Sequence, residues 1–354
     1  MIQLNQIKRL GRTVMDGEML WLCSSLSEVG FSVTGASFVR LTLRADDTVW
    51  EEETAHRKPR FAIRLDGKKI VDARMVQTEE TITVFESPEK RDATVRLIKL
   101  SECTQSVMAL GAIETDGEIA PLPEKSVRIA FVGDSITCGY GVESASELEP
   151  FTTATENAEK SFAGLTAQAL GADARLDSYS GFGIVSGYTG DPSVRNRDAL
   201  VPPIYEKAGC NDFILPSGRR LQEIDWDFAS WQPDWLVVNL GTNDLSWCQG
   251  IPERCEEFQR TYTDFLKTVR WRNPEARILC TLGVMGVGLN QSMQKATEEY
   301  CRETGDRRIR VLLLEEQNAE RDGYGADFHP SEITQRLLAG RVTEVIRAWM
   351  QKEN

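Results

Sequence analysis

The amino-acid sequence predicts an α/β protein in two parts, an antiparallel β-sandwich followed by a doubly wound parallel sheet. Two contrasting patterns carry that expectation. The first hundred or so residues alternate apolar and polar side chains with a period of two, whereas the remainder alternates short apolar runs with amphipathic helical stretches. A length of 354 residues also exceeds one ordinary core and suits two. The period changes at Pro121-Leu122-Pro123-Glu124-Lys125, which reads as a linker and sets the expected domains at 1–122 and 123–354.

In the first part, Val39-Arg40-Leu41-Thr42-Leu43-Arg44 places its apolar residues on one face of a strand and its polar ones on the other. Phe61 to Asp66 and Thr81 to Val84 repeat the pattern, and Asp66-Gly67 directly after a strand signals a hairpin. In the second part, Val127 to Val132, Trp235 to Leu240, Ile278 to Leu282 and Ile309 to Leu314 read as buried parallel strands, with Arg175 to Tyr179 a fifth. Leu338, Val342, Val345, Ile346 and Trp349 recur at helical spacing and predict a final amphipathic helix. Such a sheet binds ligands beyond the C-terminal ends of its strands. Between Ile184 and Gln232 the connection is far longer than the usual ~2–6 residues, so it is expected to shape the cleft or an interface.

Composition removes several function classes. Hydrophobic residues make up 41% and charged residues 27%, the balance of a folded globular chain. A formal net charge of −13 argues against a nucleic-acid partner and against an anionic membrane surface. No run of about 18 apolar residues predicts a transmembrane helix. The opening MIQLNQIKRLGR lacks the apolar stretch of a signal peptide, and the eight scattered cysteines read as reduced thiols; both point to a cytoplasmic protein.

Four stretches can carry chemistry. Gly133-Asp134-Ser135-Ile136-Thr137-Cys138-Gly139-Tyr140-Gly141 follows the first parallel strand, where a serine hydroxyl points into the crevice and its own N–H faces the same space. A helix-capping serine explains that stretch equally well, and a phosphate loop does not, for lack of the lysine. Ser180-Gly181-Phe182-Gly183 offers an unobstructed backbone N–H at Gly181, and Gly241-Thr242-Asn243-Asp244 a side-chain N–H at Asn243, although an Asx turn would also account for the latter. Asp327-Phe328-His329-Pro330 supplies an imidazole after the last strand. His56, the only other histidine, sits in a charged stretch and reads as a solvated loop residue. Nucleophile, donors and base all map to strand ends on one rim, which none of the four shows alone.

In order and spacing, GDSITCGYG, the SGFG glycine, GTND and DFHP resemble the four blocks of the SGNH (GDSL-like) hydrolase superfamily, over roughly residues 126 to 354. The resemblance implies a flavodoxin-like α/β/α fold with a five-stranded parallel sheet, no cofactor, and ester hydrolysis. It makes Ser135 the nucleophile and His329 the base. The backbone N–H groups of Ser135 and Gly181, with the Asn243 side chain, become the oxyanion hole. The N-terminal part, with GRT…DG…LWL and then RFAIRLDG, resembles carbohydrate esterase family two, in which a jelly-roll-like sandwich precedes the hydrolase domain. That implies removal of O-acetyl groups from plant polysaccharides or from xylo-, manno- or gluco-oligosaccharides.

One departure bears on mechanism. Many superfamily members carry the acidic residue three positions before the histidine, where this chain has Ala326; Asp327 stands two before, as in a DxHP form. A Ser–His–Asp327 triad and a Ser–His dyad with a backbone carbonyl orienting the ring both remain open. Asp134 and Asp244 read as local anchors for their turns, and Cys138 as a small buried residue. Trp247 is the candidate sugar-stacking residue, with a packed core tryptophan equally consistent, and Tyr188 is a second candidate. Two histidines and no close cysteine pair leave too few ligands for the usual zinc patterns. An esterase or thioesterase for another acyl group, and a carbohydrate-binding protein without turnover, are the alternative functions.

Overall fold

The computed structural model describes residues 6–352. The first five positions of the segment read for a leader peptide, and the last two of the chain, lie outside it. Nine strands among the described residues form an antiparallel sheet: β1 (Lys8–Leu10), β2 (Thr13–Asp16), β3 (Met19–Leu22), β4 (Glu28–Ala45), β5 (Arg60–Leu65), β6 (Lys68–Arg74), β7 (Glu79–Lys99), β8 (Met108–Thr115) and β9 (Glu118–Pro121). Their order is β2-β3-β8-β4-β7-β5-β6, with β1 and β9 also on β4.

The expected sandwich takes the form of one sheet curled on itself. Strands β4 and β7, 18 and 21 residues long, pair along most of their length, and their register shifts between Val33 and Ala36, Ala36 and Phe38, and Val39 and Arg40. Such bulges bend a strand and increase its twist, so one pair of strands serves both walls. The alternation read from sequence fills the interior: Val39, Leu41 and Leu43 are fully buried, with Phe31, Phe61, Val95 and Leu97 around them. At the β5–β6 hairpin Asp66 and Gly67 both take positive φ, 51° and 80°, as its tight turn demands.

The second part is a five-stranded parallel sheet of β10 (Arg128–Gly133), β11 (Asp173–Ser178), β12 (Trp235–Asn239), β13 (Arg277–Leu282) and β14 (Ile309–Leu313), in the order β11-β10-β12-β13-β14. Eight α-helical segments among the described residues accompany it: α1 (Ser135–Cys138), α2 (Phe162–Ala169), α3 (Val201–Ile204), α4 (Thr242–Cys248), α5 (Pro252–Arg272), α6 (Asn290–Thr304), α7 (Ala319–Asp322) and α8 (Glu332–Gln351). Alternate strand residues enter opposite cores. Ile129, Phe131, Trp235 and Val237 meet α2 and α8, whereas Ala130, Val132, Leu236 and Val238 meet α5 and α6. Both faces of the sheet are thus covered, as parallel sheets require. The final helix buries Leu338, Val342, Ile346 and Trp349, at the spacing that predicted it.

The long connection from 184 to 232 joins the two parts. Its Val201, Tyr205, Leu215, Leu221 and Phe228 share a core with Val14, Trp21 and Val107 of the antiparallel sheet and with the α5 face of the parallel one. Arg12 is fully buried at this junction. Its Nε donates to Asp177 at 2.7 Å and its Nη2 to the Tyr205 carbonyl at 2.6 Å, while Arg175 meets the same carboxylate at 3.1 Å. Each of the eight cysteines is a free thiol. Among the described residues no helix is long and apolar enough to cross a membrane.

Candidate active site

Three adjacent strands end in register. Gly133 of β10 pairs with Ser178 of β11 on one side and with Asn239 of β12 on the other. Ser135, Gly181 and Asn243 follow those ends within two to four residues, so a common rung places all three on one rim. Ser135 opens α1, capped by Asp134, whose carboxylate accepts the Ile136 N–H at 3.1 Å. At this first helical position the Ser135 N–H has no acceptor within its own helix. Burial, with Asp244 and Glu102 nearby, pushes the Asp134 carboxyl up to about 7.

His329 reaches the rim from the segment after β14, just before α8. Its Nε2 lies 2.9 Å from Ser135 Oγ. Its Nδ1 faces the main-chain carbonyls of Ala326 at 3.2 Å and Asp327 at 3.1 Å. Carbonyls only accept, so Nδ1 carries the proton and Nε2 presents its lone pair to the serine hydroxyl. Burial lowers the imidazole from 6.5 to about 4, against the smaller raising effect of those carbonyls and the Asp327 charge. The ring is therefore neutral at pH 7. The close approach depends on Gly141, at φ +57°, where an added Cβ would stand 2.5 Å from the Ala326 Cβ; the Gly141 carbonyl accepts the Ala326 N–H at 3.1 Å.

The Asn243 amide is buried and donates one N–H to the Phe182 carbonyl at 2.8 Å, leaving a second for the crevice. Gly181 takes φ +81°, and nothing lies within 4 Å of where a Cβ would be, so its backbone is open to approach. Its carbonyl accepts the Tyr188 N–H at 2.8 Å. Asp244 also serves this loop: its carboxylate accepts the N–H groups of Ile184, Val185 and Ser186. Burial outweighs its backbone hydrogen bonds and raises it to about 6.

Two expectations need correction. The Asp327 carboxylate is engaged by the Tyr140 hydroxyl at 2.8 Å, and it is the Asp327 carbonyl that meets the imidazole. The physical reason is the backbone: Asp327 sits at φ +51°, followed by Phe328 at +61°, which turns both carbonyls toward Nδ1. Trp247 offers no open face to a sugar. It is buried in the core, with the Arg195 and Arg254 guanidinium groups each 4.8 Å from its ring. Tyr188, by contrast, is exposed beside the Gly181 loop. His56 is exposed and Cys138 buried, as read.

Sequence reasoning gave no role to Tyr140, which lies in the quoted GDSITCGYG. Its ring stacks on Phe151 with centroids 3.7 Å apart and lies 4.3 Å from the His329 ring. Burial and the Asp327 charge push its phenol up, which keeps it a donor to Asp327. Gln335 was also missed. From the first turns of α8 it donates to the Ile136 carbonyl at 3.0 Å and accepts the Phe162 N–H at 2.7 Å, tying the helix after His329 to the helix of Ser135. An aromatic between two glycines was a usable signal for Tyr140; nothing local marks Gln335.

Residues 131–337, more than half of the chain, match the GDSL-like Lipase/Acylhydrolase family. The cellulase/esterase CelE of Acetivibrio thermocellus is 32% identical over 81% of this chain, which spans about a third (34%) of that protein's length. An acetylxylan esterase / glucomannan deacetylase of Cellvibrio japonicus is 27% identical over 90% of this chain and 81% of its own. Among solved structures, a family two carbohydrate esterase from Clostridium thermocellum, in complex with cellohexaose, superposes with a TM-score of 0.80 at 26% identity, covering 98% of this chain and 99% of that one. The acetyl xylan esterase Est2A of the rumen bacterium Butyrivibrio proteoclasticus gives 0.84 at 25% identity, covering 99% and 96%. With its strand-end blocks inside the matched range, the chain belongs to the GDSL-like lipase/acylhydrolase family.

Proposed function

We propose that the protein is a serine esterase that removes O-acetyl groups from carbohydrates through an acetyl-serine intermediate. The 2.9 Å contact between His329 Nε2 and Ser135 Oγ, at the ligand-binding rim of a parallel sheet, carries the reading. The likeness along nearly the whole chain to family two carbohydrate esterases, and to relatives named for acetylated xylan and glucomannan, supports the substrate class.

In this scheme Nε2 takes the hydroxyl proton as Oγ attacks the acetyl carbonyl carbon. The resulting oxyanion is held by the Ser135 and Gly181 N–H groups and the free Asn243 N–H. The imidazolium then gives its proton to the sugar oxygen as the C–O bond breaks, leaving acetyl-Ser135. Water, losing a proton to the same Nε2, attacks the acyl carbon; collapse releases acetate and returns the proton to Oγ. The carbonyls of Ala326 and Asp327 hold the ring throughout and stabilise its charged form, so the reading is a dyad served by backbone dipoles.

Acetate release from acetylated xylo-, manno- and gluco-oligosaccharides, with product positions read by NMR, tests the proposal. Turnover that falls with acyl length on 4-nitrophenyl acetate, butyrate and octanoate is expected. Sugar binding with no acetate released from any donor would overturn it.

A further inference from the structure

Beneath the crevice lies a buried group of side chains that the acyl-transfer scheme leaves unused. Glu102, in the turn between β7 and β8 of the antiparallel sheet, is fully buried. Its Oε2 accepts the N–H of Ser180 at 2.7 Å. Ser180 immediately precedes Gly181, so this bond fixes the leading side of the peptide that carries the Gly181 N–H. The trailing side is held by the Tyr188 N–H on the Gly181 carbonyl and by Asn243 on the Phe182 carbonyl. At Gly181 itself the space a Cβ would fill is empty, so these hydrogen bonds act there together with the packing of Phe182 on Tyr179.

Glu102 is itself fastened. Its N–H donates to Glu156 Oε1 at 3.1 Å, and its carbonyl accepts the buried Lys99 Nζ at 3.0 Å. A carboxylate oxygen from each glutamate and the Cys138 Sγ all lie within 4.8 Å of one another. Glu102 Oε1 and Glu156 Oε2 are buried and have no partner. Burial and the neighbouring Glu102 charge push the Glu156 carboxyl well above its usual range, which favours its protonated form. The bonds of the Glu102 N–H and carbonyl to Glu156 and Lys99 hold that residue in place under the loop.

We propose that Glu102 is a positioning residue of the oxyanion hole: through its bond to the Ser180 N–H it aims the Gly181 N–H at the crevice, so the antiparallel sheet contributes directly to turnover. The proposal rests on the esterase reading above. An oxyanion donor acts only when it stands within hydrogen-bond reach of the developing charge, and removing one outright lowers the rate by about 10²–10³. Loosening one should lower it by less.

The test is kcat and KM on 4-nitrophenyl acetate for Glu102→Ala, Glu102→Asp and Glu102→Gln, with Ser135→Ala alongside and thermal unfolding of each. Alanine removes the acceptor and aspartate retracts it by one methylene. Both should lower kcat by roughly 10- to 100-fold with KM within about threefold. Glutamine keeps an oxygen for the Ser180 N–H and offers an N–H to Glu156, so its kcat should recover to within about fivefold of the native value. If the alanine variant does not fold, the aspartate–glutamine contrast decides alone. Native kcat in the aspartate variant, a glutamine variant as slow as the aspartate one, or a loss confined to KM overturns the proposal. Full activity in Ser135→Ala would instead remove the esterase reading beneath it.

Discussion

Ser135 and His329 face each other from segments that the chain builds by opposite means. On the Ser135 side each backbone demand is met by a residue suited to it: Asp134 caps α1, and Gly139 and Gly141 take the positive φ angles that follow. On the base side two consecutive residues other than glycine, Asp327 and Phe328, occupy the left-handed region. Such conformations cost about 1–3 kcal/mol each and persist only where the surroundings over-determine them. Here the surroundings do. The Ala326 N–H is held by the Gly141 carbonyl, the Asp327 N–H by the Glu147 carbonyl, and the Phe328 carbonyl by Gln317. The strain turns two carbonyls onto the imidazole, which is where a triad would place a carboxylate.

That difference sets the order of effects. Ser135→Ala removes the attacking atom and should lower kcat by on the order of 10⁶-fold, as loss of a nucleophile does in a serine protease. Steady-state hydrolysis of 4-nitrophenyl acetate reads it, and activity above a hundredth of native would mean another group attacks. Asn243→Ala should lower kcat by about 10²–10³-fold, because it removes one donor and also leaves the Phe182 carbonyl without its partner.

The base side predicts a pH dependence. A histidine paired with a carboxylate holds its proton more tightly, whereas His329, buried against carbonyls, is lowered to about 4. The acid limb of kcat/KM should therefore fall well below 6.5. At pH 5 an imidazole of ordinary pKa would already have lost about 30-fold, and this one should lose far less. The sign for stability follows from the same shift. Between 6.5 and about 4 the unfolded chain binds the proton and the folded one does not, so His329 removes stability as pH falls through that window. Thermal midpoints of native protein and His329→Gln, compared at pH 7 and pH 5, should diverge accordingly. An acid limb at 6.5 or above would place a charged partner on the ring.

Local sequence carried most of the scaffold but little of the wiring beneath it. All five parallel strands, the hairpin at Asp66-Gly67 and the last helix were legible because a short apolar run, a tight turn or one helical period determines each. The continuous course of β4 and β7 was not, since bulges near Val33 to Arg40 reset the alternation and made long strands read as short ones. At the site, Ser135, Gly181, Asn243 and His329 were legible as strand-end blocks. For Trp247 the sequence left sugar stacking and core packing equally open, because Arg195 and Arg254, which lie against its ring, come from a separate loop and helix. The contacts of Glu102 and Gln335 also span distant segments, and no spacing rule reports them.

The smallest expected effect is the most informative about the base side. Asp327→Asn keeps the main-chain carbonyl that meets Nδ1, and its amide oxygen can still accept the Tyr140 hydroxyl. Asparagine also tolerates the left-handed region well, so the strained turn should survive. The loss of kcat should stay under about tenfold, whereas the same change in a Ser–His–Asp triad lowers it by about 10⁴ through the wrong tautomer. The two figures are far enough apart for a single assay at pH 7 to separate them. A triad-sized loss would mean that the carboxylate swings from Tyr140 onto the imidazole during turnover, and that the carbonyls serve only the resting enzyme.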